Sequence, residues 1–290
     1  MSFLRLICVV ALMSGLIACR TMPLEEVPAP AGPDALRVVT WNVHFDDAAA
    51  PQHEREERAR EVCVTADRLE ADILCLQEVA TTHGPVVLEK SLLEVELRRM
   101  IPAYEWISPR GAASLSTSNP ILYRKDRFLP VRQGVRWFSD TPNVPDSTHW
   151  GNVIPRYAVW AVFYDHATGA HFLVINTHLD HLSAAANRQS VAALLALVEE
   201  EADDSPIVVA GDFNAVPFSS VQREVCSYYR SVLKRSDPST WNGLPLMQID
   251  GIFVSEEIIV LDAAVVDTGS YGTPSDHRPV VADLGIRCSD

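Results

Sequence analysis

Eight polar residues stand where apolar stretches of this 290-residue sequence stop: Asn42, Glu78, His178, Asp212, Asn214, Asp250, Asp276 and His277. Carboxylates, carboxamides and imidazoles are the groups with which proteins hold hard cations and move protons. One such residue at a strand end is an ordinary turn former, bonded to the backbone two residues on. Eight of them imply one shared rim, and sheet rims are where α/β folds bind ligands. The strongest stretch is Ile207 to Asn214, IVVAGDFN. Its β-branched run reads as a strand buried on both faces, Gly211 permits a tight turn, and Asp212 and Asn214 follow at once.

The elements that must position these residues follow from periodicity. Apolar runs predict strands over 36–43, 72–76, 104–108, 121–124, 128–138, 156–163, 171–177, 207–210, 249–254, 258–266 and 279–284. The strands over 156–163 and 171–177 read as an adjacent pair joined by a turn at 165–169. Helices are expected over about 52–70, 86–100, 183–202 and 219–229. Ala59, Val62, Cys63, Ala66 and Leu69 make the apolar stripe of the first, and Ser183 caps the third. The charged run from His53 to Glu61 is the solvated face of the first helix. Residues 139–154 carry Pro142, Asn143, Pro145, Gly151 and Asn152 and predict a long loop, of the kind that often carries function.

The hydrophobic fraction, 48%, is enough for a globular core, and the length suits one large domain or two small ones. The formal net charge is -14. A field of that sign repels polyanions, which argues against binding duplex nucleic acid through a broad basic surface but leaves room for a local basic cleft. Residues 1–18 read as an export signal: Arg5 is an early charge, and the apolar stretch from Leu6 to Ala18 is short for a spanning helix. Arg20 to Asp34, with Pro23, Pro28, Pro30 and Pro33, predicts an extended tether, so the folded domain is expected over 36–290. Cys63 and Cys75 lie on apolar faces and are expected as buried thiols, whereas a Cys226–Cys288 bridge stays open.

Two resemblances add to this reading. Leu16-Ile17-Ala18-Cys19 resembles a bacterial lipoprotein box, which implies a lipidated Cys19 as the first mature residue, a membrane anchor, and a place at the outer membrane or cell surface. The ordered series WN, QE, NTH, GDFN, ID and SDH, over about 36–286, resembles the endonuclease/exonuclease/phosphatase superfamily, with GDFN and SDH the most specific motifs. The segment from Pro120 to Arg156 also resembles a bacterial and fungal subgroup of that superfamily. The resemblance implies an α/β fold of two packed mixed β-sheets flanked by helices, the DNase I-like four-layer sandwich, and metal-dependent hydrolysis of a phosphoester. Glu78, Asn42 and Asp276 then become the expected ligands of Mg²⁺, with Mn²⁺ as an alternative. His277 is the expected base, Asp250 holds its imidazole, and Asp212 orients or deprotonates the nucleophile. Asn214 and His178 are expected to donate to the phosphoryl oxygens, and Arg156 to bind substrate phosphate.

Simpler readings compete at several positions. His178 alone would be a satisfied structural histidine, and Asp250 a cap before Gly251. Arg156 would be a surface ion pair, and His178, Asp180 and His181 a poorly spaced zinc cluster. His44 stands where several nucleases of the superfamily carry an acid, which weakens a nuclease reading. The leading expectation is an exported, lipid-anchored, monomeric phosphoesterase acting on a lipid-linked or small phosphoester. An extracellular nuclease is the first alternative, with Arg110, Arg124, Lys125, Arg127, Arg132 and Arg136 as its basic lane. A non-catalytic binding lipoprotein on the same fold is the second.

Overall fold

The apolar runs become strands, and most are buried on both faces, those at Tyr104–Ile107, Phe128–Trp137 and Ile258–Asp267 excepted. The computed structural model describes residues 22–44, 50–79, 91–108, 118–269 and 274–287. In chain order these form β1 (Met22–Pro23), β2 (Leu36–Asn42), α1 (Gln52–Arg68), β3 (Ile73–Gln77), α2 (Leu92–Met100), β4 (Tyr104–Ile107), β5 (Ile121–Arg124), β6 (Phe128–Trp137) and β7 (Tyr157–Asp165). There follow β8 (His171–His178), α3 (Ala184–Glu201), β9 (Ile207–Asp212), α4 (Ser220–Val225), β10 (Arg230–Ser231), β11 (Asp250–Val254), β12 (Ile258–Asp267) and β13 (Val280–Ile286). One sheet has the order β1-β12-β13-β2-β3-β5-β4, the other β10-β11-β9-β8-β7-β6. Both are mixed: β2–β3 and β8–β9 pair in parallel, most others antiparallel.

Side-chain alternation explains the layering. Leu36 and Val38 of β2 face the second sheet, where they meet Phe163, Val174 and Val208, while Val39 and Trp41 face α1 and α2. The outer face of the second sheet packs on α3 and α4 through Leu173, Ile175, Val191, Leu194 and Val225. Three apolar interfaces between four layers result, each fully buried large side chain contributing about 2 kcal/mol of transfer free energy. This is the α/β arrangement of two packed mixed sheets that the motif series implied. Gln77 and Asn176 staple the sheets from inside: Gln77 Nε2 donates to Asn176 Oδ1 at 2.7 Å, and Asn176 Nδ2 to the carbonyls of Leu76 and Pro120, each at 2.8 Å.

Three expectations are revised. The helix at 219–229 ends at Val225, because Cys226 closes it and Tyr228 and Tyr229 turn back on Val225 O. The strand through Gly211 does not stop there but continues to Asp212. Residues 22–35, expected as an extended tether, lie on the domain: β1 pairs in parallel with β12, Arg37 Nη2 donates to Pro28 O at 2.9 Å, and Leu24 and Val27 pack against the core. The lipid site Cys19, the signal at 1–18, Arg110, Cys288 and the first part of the helix expected from 86 lie outside the described residues. Cys63 and Cys75 are buried free thiols as expected, and Cys226 is an exposed one. Among the described residues no helix is long and apolar enough to cross a membrane.

Candidate active site

All the strand-end residues arrive at one end of the sandwich. From the first sheet, β2 delivers Asn42, and Glu78 follows the last residue of β3. From the second, β8 delivers His178, β9 Asp212 and β11 Asp250, while the segment before β13 of the first sheet supplies Asp276 and His277. Register sets the row: Asp212 is the Cα partner of His178 on one side and of Asp250 on the other. Gly211 makes this row possible. Its φ is 148°, and a Cβ there would stand 2.0 Å from Thr177 O, so the glycine serves a close approach of strands rather than the expected turn.

The polar contacts cross between the sheets. Asn42 Nδ2 donates to Glu78 Oε1 at 2.9 Å and to Asp212 Oδ2 at 3.1 Å, while its Oδ1 accepts from His44 N. His178 Nε2 lies 3.7 Å from Glu78 Oε1 and 3.6 Å from Asp212 Oδ2. His277 Nδ1 is 2.9 Å from Asp250 Oδ2, which orients the imidazole. Asp276 sets one oxygen 3.0 Å from His44 Nδ1 and accepts from Trp241 Nε1 at 3.2 Å with the other. Asn214 N donates to Asp212 Oδ1 at 2.8 Å, and Asn214 Nδ2 to Leu179 O at 3.0 Å. His44, Glu78 and Asn214 all have positive φ, at 42°, 56° and 46°. Local strain of that kind collects where side chains must be aimed.

A ring of supporting residues holds these groups. Trp41 Nε1 donates to His277 O at 3.0 Å, Ser275 Oγ donates to Asn42 O at 2.7 Å and accepts from His277 N, and Thr240 Oγ1 accepts from the amides of Ile249 and Asp250. Trp41 and Ser275 sit inside the WN and SDH motifs, so the sequence held a signal for them. Thr240 and Trp241 lie in a loop without any pattern and were missed.

Arg156 sits 2% exposed beside this pocket. Its Nη2 is 3.0 Å from His181 Nδ1 and its Nε 3.8 Å from Asp180 Oδ2, but Nε and Nη1 have no hydrogen-bond partner. The surface ion pair is therefore not what the fold builds. The zinc alternative at His178, Asp180 and His181 does not assemble either: Asp180 caps the amides of Leu182 and Ser183, and the cluster of ligand-type atoms among the described residues is Asp212, Asp250 and His277, within 4.8 Å of one another. The four described arginines of the basic lane each meet a carboxylate, and its lysine meets a carbonyl. Arg124 pairs with Asp126, Arg127 with Asp72 and Asp165, Arg132 with Asp203, and Arg136 with Glu200; Lys125 donates to Pro102 O.

Electrostatics separates the titrating groups. Burial, reinforced by Asp250, pushes the Asp212 carboxyl up to about 7. Burial opposes the charged form of His277, yet Asp250, Asp212 and Asp276 outweigh it and hold the imidazolium up to about 10. Burial and then Arg156 push His178 well below its ordinary value, so it is neutral. Asp276, despite burial, is held down at about 2 by His44 and His277. The two raised groups bind protons more tightly folded than unfolded. Their stabilisation is complete below the ordinary values of 3.8 and 6.5 and is lost as pH rises through about 7 and about 10. Asp276 acts oppositely, adding stability above 3.8 that is lost as pH falls through about 2. Neutral His178 acts against Asp212 below its ordinary value of 6.5, so in EDTA the melting temperature should fall between about pH 7 and about pH 9, where His277 dominates. Differential scanning fluorimetry checks this, and His277→Gln should flatten the upper half of the profile. A parent profile already flat there contradicts the assignment.

The sequence from residue 39 to residue 277 matches the model of the endonuclease/exonuclease/phosphatase family. The chain belongs to this family. An endonuclease/exonuclease/phosphatase structure from Bacteroides vulgatus superposes with a TM-score of 0.74 at 27% identity, covering 87% of this chain and 99% of that one. The mannosyl-6-phosphatase of Bacteroides thetaiotaomicron superposes at 0.73 with 25% identity, over 86% and 99% of the two chains. Among curated sequences, uncharacterized protein L388 of Acanthamoeba polyphaga mimivirus is 28% identical over 149 residues, which are 49% of this chain and 53% of that protein. The chain thus spans about half the length of that relative. Members of the endonuclease/exonuclease/phosphatase family hydrolyse phosphoesters and generally depend on a divalent metal ion, and the acidic cluster of this chain is consistent with one.

Proposed function

We propose that this protein is an exported, membrane-anchored, Mg²⁺-dependent phosphoesterase acting on a lipid-linked or small phosphoester. The observation that carries the reading is the union at one rim of Asn42 and Glu78 from one sheet with His178, Asp212 and Asp250 from the other. The donor set suits a hard cation, being mostly carboxylate and amide oxygen. An imidazolium has no lone pair to give, so His277 is a poor ligand while Asp250 holds its proton. Glu78 is then the carboxylate best placed to hold Mg²⁺, with Asn42 and Asp276 completing the protein's share. When bound, the ion would neutralise charge on the phosphoryl oxygens and the leaving group.

The chain's own groups divide the remaining work. Asp212, poised near neutrality, accepts the proton of the attacking water as its oxygen bonds to phosphorus. The sequence left that proton to either His277 or Asp212, and the raised imidazolium favours Asp212. His277, oriented by Asp250, donates a hydrogen bond to a phosphoryl oxygen. The ester P–O bond breaks, and the departing oxygen takes a proton from water. Neutral His178 and the amide of Asn214 donate to the equatorial oxygens, and Arg156 offers Nε and Nη1 to the phosphate.

Substrate choice rests on charge and on likeness. The net charge of -14 and the paired arginines disfavour a polyanion, and the mannosyl-6-phosphatase likeness favours a compact phosphoester. Lipidation at Cys19 would keep the enzyme at a membrane surface. The test is a substrate panel with the full chain in detergent, with and without EDTA: bis-p-nitrophenyl phosphate, a sugar phosphate, DNA, RNA, sphingomyelin and inositol lipids. EDTA should remove activity and Mg²⁺ should restore it. Hydrolysis that persists in EDTA contradicts the metal reading, and preference for DNA or RNA contradicts the substrate reading.

A further inference from the structure

The His277–Asp250 pair is assembled from two separate sheets. Asp250 is the first residue of β11 and is held in the second sheet by its pairing with Asp212, while His277 precedes β13 of the first sheet. Strand register fixes spacing within a sheet, not between packed layers. The 2.9 Å contact between His277 Nδ1 and Asp250 Oδ2 therefore needs an anchor that reaches both carriers. Trp41 and Ser275 hold the backbone of His277, and neither bonds to Asp250.

Thr240, in the loop 232–249, touches both sides. Its side chain is fully buried. Its Oγ1 accepts from Ile249 N and Asp250 N, each at 3.0 Å, and donates to Met247 O at 3.2 Å. A hydroxyl has one proton and two lone pairs, so this one is used in full. The Thr240 carbonyl accepts from Arg278 N, the amide next after His277, at 2.6 Å. The residues that follow run beside the same segment. Trp241 makes an antiparallel bridge with His277, its Nε1 donates to Asp276 Oδ2 at 3.2 Å, and Asn242 N donates to Asp276 O at 2.8 Å. The side chain and the backbone of one residue thus hold the two halves of the pair. A threonine that only closed its own loop would bond within it, whereas both acceptor sites of Thr240 go to the amides that lead into β11.

We propose that Thr240 is a positioning residue, which fixes the spacing of the His277–Asp250 pair across the two sheets without touching substrate. The proposal rests on the catalytic reading of that pair and adds to it a residue with no part in the chemistry itself. Two consecutive amides on one buried oxygen set how far β11 reaches toward the rim, and the carbonyl sets where residues 276–278 lie against it. Removal of the hydroxyl leaves both amides buried without that acceptor, so the loop and β11 must shift apart. A shift on the order of 1 Å at an oriented catalytic pair costs about a hundredfold in rate. Asp250 keeps its ladder with Asp212 throughout, so the loss falls on the pairing and not on the fold.

The test uses the full chain in detergent as parent, Thr240→Val and Thr240→Ser, each with and without His277→Ala. Valine keeps the shape and removes the acceptor, and serine restores it. The first readout is nuclear magnetic resonance of histidine labelled with nitrogen-15, in EDTA, where the Nδ1–H signal of His277 is assigned by its absence from His277→Ala. Thr240→Val should shift or lose that signal, and Thr240→Ser should return it to the parent position. The second readout is turnover of bis-p-nitrophenyl phosphate with Mg²⁺. Thr240→Val should lower kcat about a hundredfold with KM within about twofold, Thr240→Ser should stay within about threefold of the parent, and Thr240→Val should cost nothing further once His277 is alanine. Where the valine variant does not fold, Thr240→Cys, whose sulfur is a weak acceptor, takes its place and should fall between serine and the full loss. An unmoved His277 signal in the valine or cysteine variant overturns the proposal. So does a serine variant as impaired as valine, or an equal loss from valine with and without His277. A parent that hydrolyses nothing strikes the phosphoesterase reading instead, and the His277 signal still decides the anchor.

Discussion

Asp212→Asn and His277→Ala should each lower kcat/KM for a soluble phosphodiester by about a thousandfold and leave a folded domain. Asp212 joins the two sheets at the pocket: Asn42 and Asn214 donate to its oxygens, and its backbone pairs with both His178 and Asp250. Asparagine keeps the shape and loses the acceptor that titrates near neutrality. His277 acts with Asp250 as a unit, so Asp250→Asn added to His277→Ala should cost nothing further, whereas Asp250→Asn alone should be severe. Steady-state kinetics beside far-ultraviolet circular dichroism separates lost chemistry from lost structure. Full turnover by either single variant would remove that residue from the catalytic set.

Arg156→Lys should lower kcat/KM by about a hundredfold, and Arg156→Met by more. A guanidinium desolvated in this way, with Nε and Nη1 left over, is an uncompensated cost unless an anion completes it. On the proposed reading a phosphoryl group supplies that anion, and the planar fork would grip two of its oxygens where an ammonium grips one. Inhibition by vanadate, whose trigonal-bipyramidal form resembles the transition state, should weaken in parallel with kcat/KM. If vanadate binds the lysine variant as tightly as the parent, Arg156 only braces Asp180 and His181.

The difference between the readings of Arg156 shows where sequence reasoning stops. Locally the residue opens an apolar strand and is as consistent with a surface ion pair as with a phosphate clamp. What decides is a burial fixed by the long loop 138–156 and by His181, 25 residues further on. Gly211 is a similar case. Its place before Asp212 suggested a turn, and only the parallel neighbour β8, whose Thr177 O approaches within 2.0 Å of the missing Cβ, supplied the true constraint. The docking of residues 22–35 was hidden for the opposite reason: proline-rich composition reports the absence of regular structure, not the absence of contacts.

The sequence by itself determined the strands, the polar residue that closes each, and through the order of those motifs the family. Those features are local, because a run of β-branched residues and the turn chemistry after it need no distant partner to be recognised. Only the tertiary structure decided that Asp212 stands between His178 and Asp250, that Asn42 reaches it from the other sheet, and that Arg156 is buried with two unpartnered nitrogens. Proximity of charges, loss of water and exposure of a surface are properties of strand order and layer packing. They follow from contacts between distant residues, such as Trp41 and His277, 236 positions apart, which local periodicity does not encode.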